Sequence, residues 1–249
     1  MGDNMLYKFF VTSDLHGHYQ EFLKAIKKAG FSEEDSRHIL LICGDMFDRG
    51  RENTKIYLYI KSLIDQYGAD KVIVLKGNHE LFFEDLDTDD QYRVFFNYQY
   101  NRFDMTISDF TNINLDELRN YSNFEIKELI NKNYPNFLNW LKHLPFYYET
   151  KNYIFTHAGF SPEIPFEQTD WHQAVWTKSE LLEFVDLTKY GITKKLVMGH
   201  RPTILLGEFD YDIHYSPDKQ KIYIDGGCAY GGKLNVLVVE DEKTRSSIS

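Results

Sequence analysis

The sequence predicts an α/β fold in which two sheets pack face to face with helices outside. Up to Leu75, short apolar runs alternate with segments of helical periodicity. Polar clusters end those runs, and the intervals from Asp14 to Asp45 and from Asp45 to Asn78 are each about thirty residues, the length of a βαβ unit. From Phe146 onward, short apolar runs separated by turns dominate, which calls for a second sheet closing on the first.

The elements follow in order. Leu6 to Ser13 reads as a buried strand, with Asp14-Leu15-His16-Gly17-His18 directly after it. Phe22, Leu23, Ile26 and Ala29 recur at helical spacing, and Gly30 is the stop. Ile39 to Cys43 is the second strand. Gly44 lets the backbone turn tightly there, leaving Asp45 at the strand tip and Asp48-Arg49 on the loop. Helical spacing resumes at Ile56, Ile60, Leu63, Ile64 and Tyr67, with Gly68 as the stop. Val72 to Leu75 is the third strand, and Lys76-Gly77-Asn78-His79-Glu80 leaves it. Three polar clusters thus fall at one carboxyl edge of a parallel sheet, where open α/β folds place ligand sites.

At Asp87-Thr88-Asp89-Asp90 the character changes. Residues from about 84 to 145 read as a helical insertion, packed over or beside the site within a single domain of residues 1–249. Helical patches are expected near Leu115–Leu118, Phe124–Ile130 and Phe137–Leu144. Phe146–Tyr148 and Tyr153–Thr156 form an antiparallel pair, the latter ending in His157-Ala158-Gly159. Trp176-Thr177-Lys178 precedes a short helix through Leu181, Leu182 and Val185. Leu196–Met198 ends in Gly199-His200-Arg201-Pro202, and Ile222–Ile224 in Asp225-Gly226-Gly227. Leu234–Val239 is the last strand, and Thr244–Ser249 reads as a frayed tail.

A net charge of −10 argues against nucleic acid as a partner, since phosphate backbones need a basic face. It leaves open a small anionic substrate in a locally positive site. No apolar run approaches the ~18 residues of a membrane span. The opening residues lack a basic region followed by an apolar one. Two cysteines, Cys43 and Cys228, both beside apolar runs, suit a reducing, cytoplasmic setting. The 18 Tyr and 19 Phe are scattered among Asn, Lys and Ile, which reads as compositional bias and not as a stacking platform.

Asp14 and His16, at i and i+2 on extended chain, project to one side and can grip one cation. Asp45, Asn78, His157 and His200 add carboxylate, amide and imidazole donors at other strand ends. That mixture suits Mn, Fe, Zn or Co and not Ca. With Asp45 shared, two three-ligand sites with open positions result, leaving room for a hydroxide and a substrate oxygen. His18, His38, His143, His172 and His214 read as ordinary core or surface histidines.

Asp-x-His-Gly at Asp14, Gly-Asp-x-x-Asp-Arg-Gly at Gly44, Gly-Asn-His-Glu at Gly77, His157-Ala-Gly and Gly199-His resemble the PPP-type serine/threonine phosphatases. These belong to the calcineurin-like metallophosphoesterases, and the likeness is greatest to the small bacterial and bacteriophage enzymes. It runs from Leu6 to Val239 and leaves only the insertion unmatched. The resemblance implies a four-layer α/β/β/α sandwich and two divalent metal ions, manganese first. It implies Asp14 and His16 on one metal, Asp45 bridging, and Asn78, His157 and His200 on the other. Arg49 would grip the phosphoryl oxygens beside Asn78, and His79 would be the general acid oriented by Asp48. The chemistry implied is direct attack of metal-bridged hydroxide on a phosphate ester of a protein, dual specificity included, or of a small molecule.

Two departures stand out. Ser13 occupies a position that is usually Gly, and Lys178 follows the Trp where bacterial relatives usually carry Arg; Lys178 remains a candidate phosphate contact. The alternative activity is symmetrical bis(5'-nucleosyl)-tetraphosphate hydrolysis, which uses the same metal site. Asp48 immediately before Arg49 resembles the phosphatases more than that branch. A non-catalytic phosphate-binding relative is disfavoured, because all six ligands and the His79–Asp48 pair are present.

Overall fold

The computed structural model describes residues 5–207 and 209–244. In chain order the strands are β1 (Leu6–Thr12), β2 (His38–Ile42), β3 (Val72–Val74), β4 (Tyr147–Glu149) and β5 (Tyr153–Thr156). They continue with β6 (Lys195–Met198), β7 (His214–Tyr215), β8 (Lys221–Tyr223) and β9 (Leu237–Glu242). The helices are α1 (Tyr19–Lys28), α2 (Asn53–Tyr67), α3 (Asn78–Leu81), α4 (Gln91–Asn101), α5 (Phe103–Thr111), α6 (Asn123–Asn133), α7 (Phe137–Lys142) and α8 (Trp171–Ala174).

One sheet has the order β3-β2-β1-β9, the other β4-β5-β6-β8-β7. β1, β2 and β3 are mutually parallel, as are β5, β6 and β8, while β9, β4 and β7 pair antiparallel at the edges. Both parallel sets aim their carboxyl ends at the same region.

Side-chain alternation builds the layers. Phe9 and Val11 of β1, Ile39 and Leu41 of β2, Phe155, Val197 and Ile222 share the core between the sheets. Phe10, Leu40 and Ile42 face the other way, onto Phe22 and Ile26 of α1 and Ile56, Ile60 and Leu63 of α2. Each fully buried side chain of this size contributes about 1.5–3 kcal/mol. A one-residue slip would therefore invert both faces at once, so the register is firmly set. Ile154, Leu196, Met198 and Tyr223 fill the outer face of the second sheet with Phe160, Leu182 and Leu187.

That outer face is covered by α8 and by 3-10 turns at Ser179–Leu182 and Leu187–Tyr190. The helix expected through Leu181–Val185 is one of these turns. The segment is too short to repay helix nucleation, and Asp186 starts a new turn by accepting the Thr188 N–H.

Within residues 84–145, α6 and α7 lie where helical patches are expected, whereas Leu118–Asn120 is only a 3-10 turn. α4 and α5 carry no expectation from sequence. They are separated by Arg102 in the left-handed region, φ 59°. The phenylalanines are not a scattered bias. Phe47 meets Phe83, Phe110 and Phe137 at ring distances of 5.9, 5.6 and 5.7 Å, so the loop after β2 is rooted in the core that α5 and α7 share. α4–α7 share one hydrophobic core with α1 and α2.

The last strand begins at Leu237, later than expected, because Gly227 bridges Lys233 and holds the preceding residues in a turn. Cys43 and Cys228 are buried free thiols. Among the described residues no helix is long and apolar enough to cross a membrane. The first four residues, and the expected tail beyond Thr244, lie outside the described residues.

Candidate active site

The turns after β1, β2 and β6 share an unusual backbone. Asp14, His16, Asp45, Asp48, Arg49 and His200 all adopt positive φ, between 44° and 74°. For non-glycine residues this costs roughly 1–3 kcal/mol each and persists only where the surroundings impose it. Parallel loop pairing imposes it here: the N–H groups of Asp14, His16 and Gly17 donate to the carbonyls of Gly44, Asp45 and Met46 at 3.1, 3.1 and 2.9 Å. Asp14 and His16 thus converge through left-handed turns, and not through the extended chain assumed from their spacing. Gly44, φ 83°, is required twice over, since a Cβ there would stand 2.6 Å from the Gly77 nitrogen and 2.9 Å from His157 Nδ1.

Two donor groups share Asp45. Ligand atoms of His16, Asp45 and His79 lie within 4.8 Å of one another, and so do those of Asp45, His157 and His200. His16 Nε2 stands 3.8 Å from Asp14 Oδ1 and 3.7 Å from Asp45 Oδ2. His157 Nε2 faces Asn78 Oδ1 at 2.9 Å, His200 Nδ1 at 3.2 Å and Asp45 Oδ1 at 3.4 Å. The sheets meet here, where the His200 N–H donates to Asp14 Oδ2 at 2.9 Å.

These atoms fit divalent cations. His16 Nδ1 donates to the Phe47 carbonyl at 2.9 Å and His157 Nδ1 to the Cys43 carbonyl at 2.8 Å, so both Nε2 atoms present lone pairs. Backbone pinning of the second ring nitrogen is how ligating histidines are oriented. Around His157 Nε2, Asn78 Oδ1 and Asp45 Oδ1 are acceptors, an arrangement that a cation satisfies. Burial, then Arg49, holds the His16 pKa well below its usual value. Burial, then His157, pushes His200 down to about 2. Neutral imidazole is the ligating form. Burial, then Asp14 and Glu80, raises Asp45, the sign of a carboxylate lacking a counter-charge.

His79 Nδ1 lies 2.5 Å from Asp48 Oδ2, and His79 Nε2 lies 3.3 Å from Arg49 Nη2 and 3.7 Å from Asp45 Oδ2. Asn78 and His79 open helix α3, so their side chains diverge by helical rotation and not by strand alternation. Arg49 Nη2 can only donate, so His79 Nε2 is the acceptor and Nδ1 carries the proton given to Asp48; burial lowers His79 and raises Asp48. Arg49 places Nη1 2.9 Å from His16 Nε2 and stacks 4.8 Å from the centre of the Tyr230 ring.

A cleft of about 550 Å³ opens over this cluster. His16, Asp45, Arg49, Asn78, His79 and His200 line it, together with Trp176, Arg201 and Tyr230. Lys178 does not line it and is exposed on the turn that follows Trp176. The cation in the cleft besides Arg49 is Arg201, whose Nε donates to Glu180 Oε2 at 3.1 Å. Among the described residues its Nη atoms have no other partner. A guanidinium directly after a candidate ligand, in Gly199-His200-Arg201-Pro202, was the signal available in the sequence.

Three further residues have roles that their sequence positions did not assign. Buried Glu80 accepts the N–H groups of Asp45, Met46 and Gly77 at 2.9, 2.9 and 2.8 Å, fixing the loops after β2 and β3. Thr106 of α5 donates its hydroxyl to Asp48 Oδ1 and accepts the Asp48 N–H at 2.9 Å. Ser13, the departure noted above, donates to Asp14 Oδ2 and lies 3.2 Å from the Cys43 carbonyl, so it joins the first two strand ends. The histidines set aside have other partners: His38 accepts the Ser32 N–H at 3.0 Å, and His214 meets Glu183 at 3.1 Å.

Residues 7–225 match the family described as calcineurin-like phosphoesterase. The symmetrical bis(5'-nucleosyl)-tetraphosphatase of Buchnera aphidicola subsp. Acyrthosiphon pisum is 35% identical over 72 residues, 29% of this chain and 24% of that protein. The chain therefore aligns with about a quarter of the length of that relative. Among solved structures, a candidate diadenosine tetraphosphatase superposes with TM-score 0.61 at 13% identity, covering 96% of this chain and 95% of that one. The cold-active protein-tyrosine phosphatase of a psychrophilic Shewanella gives 0.59 at 16%, covering 93% and 75%. A protein serine/threonine phosphatase from Saccharomyces cerevisiae gives 0.56 at 14%, covering 96% and 81%. At these identities the superpositions speak for the fold.

Proposed function

We propose, from the premise that this chain belongs to the calcineurin-like phosphoesterase family and is a hydrolase, that it removes phosphate from serine and threonine esters of proteins. The observation that carries the reading is the His79–Asp48 contact at 2.5 Å, with His79 Nε2 turned to the cleft beside Arg49. An alkoxide leaving group needs a proton, and a positioned imidazolium can give it. Asp48 holds Nδ1 and neutralises the charge that protonation at Nε2 creates. A dianionic phosphate arriving beside Arg49 favours that protonated form. A phosphate leaving group, as in dinucleoside polyphosphates, gains much less from this pair.

The remaining roles are assigned to this chain's own residues. Asp14, His16 and Asp45 would hold one divalent ion, and Asp45, Asn78, His157 and His200 the other. Bound there, the ions would supply charge neutralisation and a water acidic enough to react at neutral pH. Arg49 offers a planar fork for two phosphoryl oxygens, kept in place by the Tyr230 ring. Arg201, anchored through Nε by Glu180, presents its Nη atoms as a second phosphate contact from the other wall. Glu80, Thr106 and Ser13 hold the carboxylates in position.

A second reading, symmetrical hydrolysis of dinucleoside tetraphosphates, is favoured by the 35% identity to the Buchnera enzyme. One panel separates the two. With manganese added, phosphoserine and phosphothreonine peptides should exceed diadenosine tetraphosphate in kcat/KM. The reverse order would overturn the phosphoprotein reading.

A further inference from the structure

We propose that a groove continuous with the cleft binds the polypeptide flanking the phosphorylated residue, selecting segments with a large apolar side chain beside basic residues. This rests on the phosphoprotein reading above. Trp176 lines the cleft on one side and, on the other, a second depression of about 620 Å³. Phe82, Glu84, Thr88, Tyr92 and Phe96 line that depression. Its floor is aromatic, with the Phe82 and Trp176 rings 6.0 Å apart.

The rings are unusually open. Tyr92 is 78% exposed, Phe96 46% and Trp176 47%. Tyr92, Phe96 and Tyr100 follow one another at i, i+4 and i+8 on α4, whose opposite side buries Val94 and Tyr98. A helix that turns one apolar stripe to its core and a second to solvent presents a contact surface.

Charge selects the occupant. At the rim, Glu84 and Asp85 line the depression together with Arg93, and Asp89 and Asp90 lie on the chain between its lining residues Thr88 and Tyr92. Lys76, Arg93 and Lys127 pair with Glu84, Asp85 and Asp87, while Asp89 and Asp90 have no ion pair among the described residues. Surplus negative charge repels the far phosphates of a dinucleoside polyphosphate and attracts lysine and arginine side chains. Aromatic floor and acidic rim together match a basic, apolar polypeptide segment. The rim, Tyr92 and Phe96 all lie in the insertion, the part without a counterpart in the family motifs.

The test uses phosphoserine peptides with arginine and leucine flanks against glutamate and glycine flanks, each normalised to p-nitrophenyl phosphate turnover. Wild-type enzyme should prefer the first set by about tenfold in kcat/KM, carried by KM, the size of a few anchor contacts. Tyr92→Ala/Phe96→Ala should erase the leucine preference, and Asp89→Asn/Asp90→Asn the arginine preference together with its salt dependence. Equal turnover of both sets, or a preference surviving in both variants, overturns the groove and leaves the phosphoprotein reading standing. A KM increase confined to diadenosine tetraphosphate assigns the groove to a base and overturns it too. No turnover of any phosphopeptide overturns both readings.

Discussion

Asp48 and Thr106 are locked together by two hydrogen bonds across 58 residues of sequence. Helix α5 therefore holds the carboxylate that meets His79, and so has a grip on the loop after β2. Asp109 of the same helix reinforces that grip by accepting the Asn53 N–H at 2.9 Å at the start of α2.

Thr106→Val should leave Asp48 short of a donor and free to turn. The expected loss is about 1–3 kcal/mol of positioning. It should appear as a kcat decrease of about tenfold on phosphoserine peptide and less than about twofold on p-nitrophenyl phosphate. Thr106→Ser should restore most of it. Equal rates for Thr106→Val and wild type on the peptide would make Thr106 a packing residue.

His79 has two geometric possibilities, as acid beside Asp48 or as a donor grouped with His16 and Asp45. His79→Asn should retain both metal ions by elemental analysis. It should lose about 10²–10⁴-fold on alkyl phosphates and far less on p-nitrophenyl phosphate, whose leaving group is already a stable anion. Loss of one metal equivalent in that variant would reassign His79 as a ligand.

The two cations beyond Arg49 should differ sharply. Arg201→Ala should raise KM for phosphoserine peptide by about tenfold or more, and Arg201→Lys should recover only part, since a point charge cannot reproduce the planar fork. Lys178→Ala should stay within about twofold of wild type, as an exposed side chain off the cleft. Matching KM changes in Lys178→Ala and Arg201→Ala would return Lys178 to the site.

Metal removal should cost stability as well as activity. The acceptor-rich cluster of Asp45, His157 and His200 is satisfied by a cation, so manganese should raise Tm in a concentration-dependent way. Chelation should abolish turnover, and manganese should restore it better than magnesium because imidazole donors disfavour magnesium. An unchanged Tm with and without manganese would count against a built metal site.

Glu80→Leu should strand three buried N–H groups, those of Asp45, Met46 and Gly77. At about 1–3 kcal/mol for each unsatisfied group, the apoprotein should melt several degrees lower. A melting temperature equal to wild type in chelator would show that water replaces the carboxylate.

By itself the sequence determined the parallel strands and the residues that end them. Alternating burial of Phe9, Phe10, Ile39 and Leu40 follows from a period of two, and the βαβ interval then sets Asp14, Asp45 and Asn78 along one edge. Local patterning can do this because strand periodicity and glycine turns act over a few residues. Tertiary structure alone decided the rest. The turns that aim Asp14, His16, Asp45 and His200 are left-handed because neighbouring loops pair, which no local propensity announces. Thr106 is an ordinary mid-helix threonine until packing of α5 brings it to Asp48. Lys178 and Arg201 are both cations beside motif residues, and only the paths of the chain before and after β6 put one of them in the cleft and leave the other outside. Hydrogen bonds and charges act over a few ångströms, and in a chain of this length it is packing that decides which distant residues come that close.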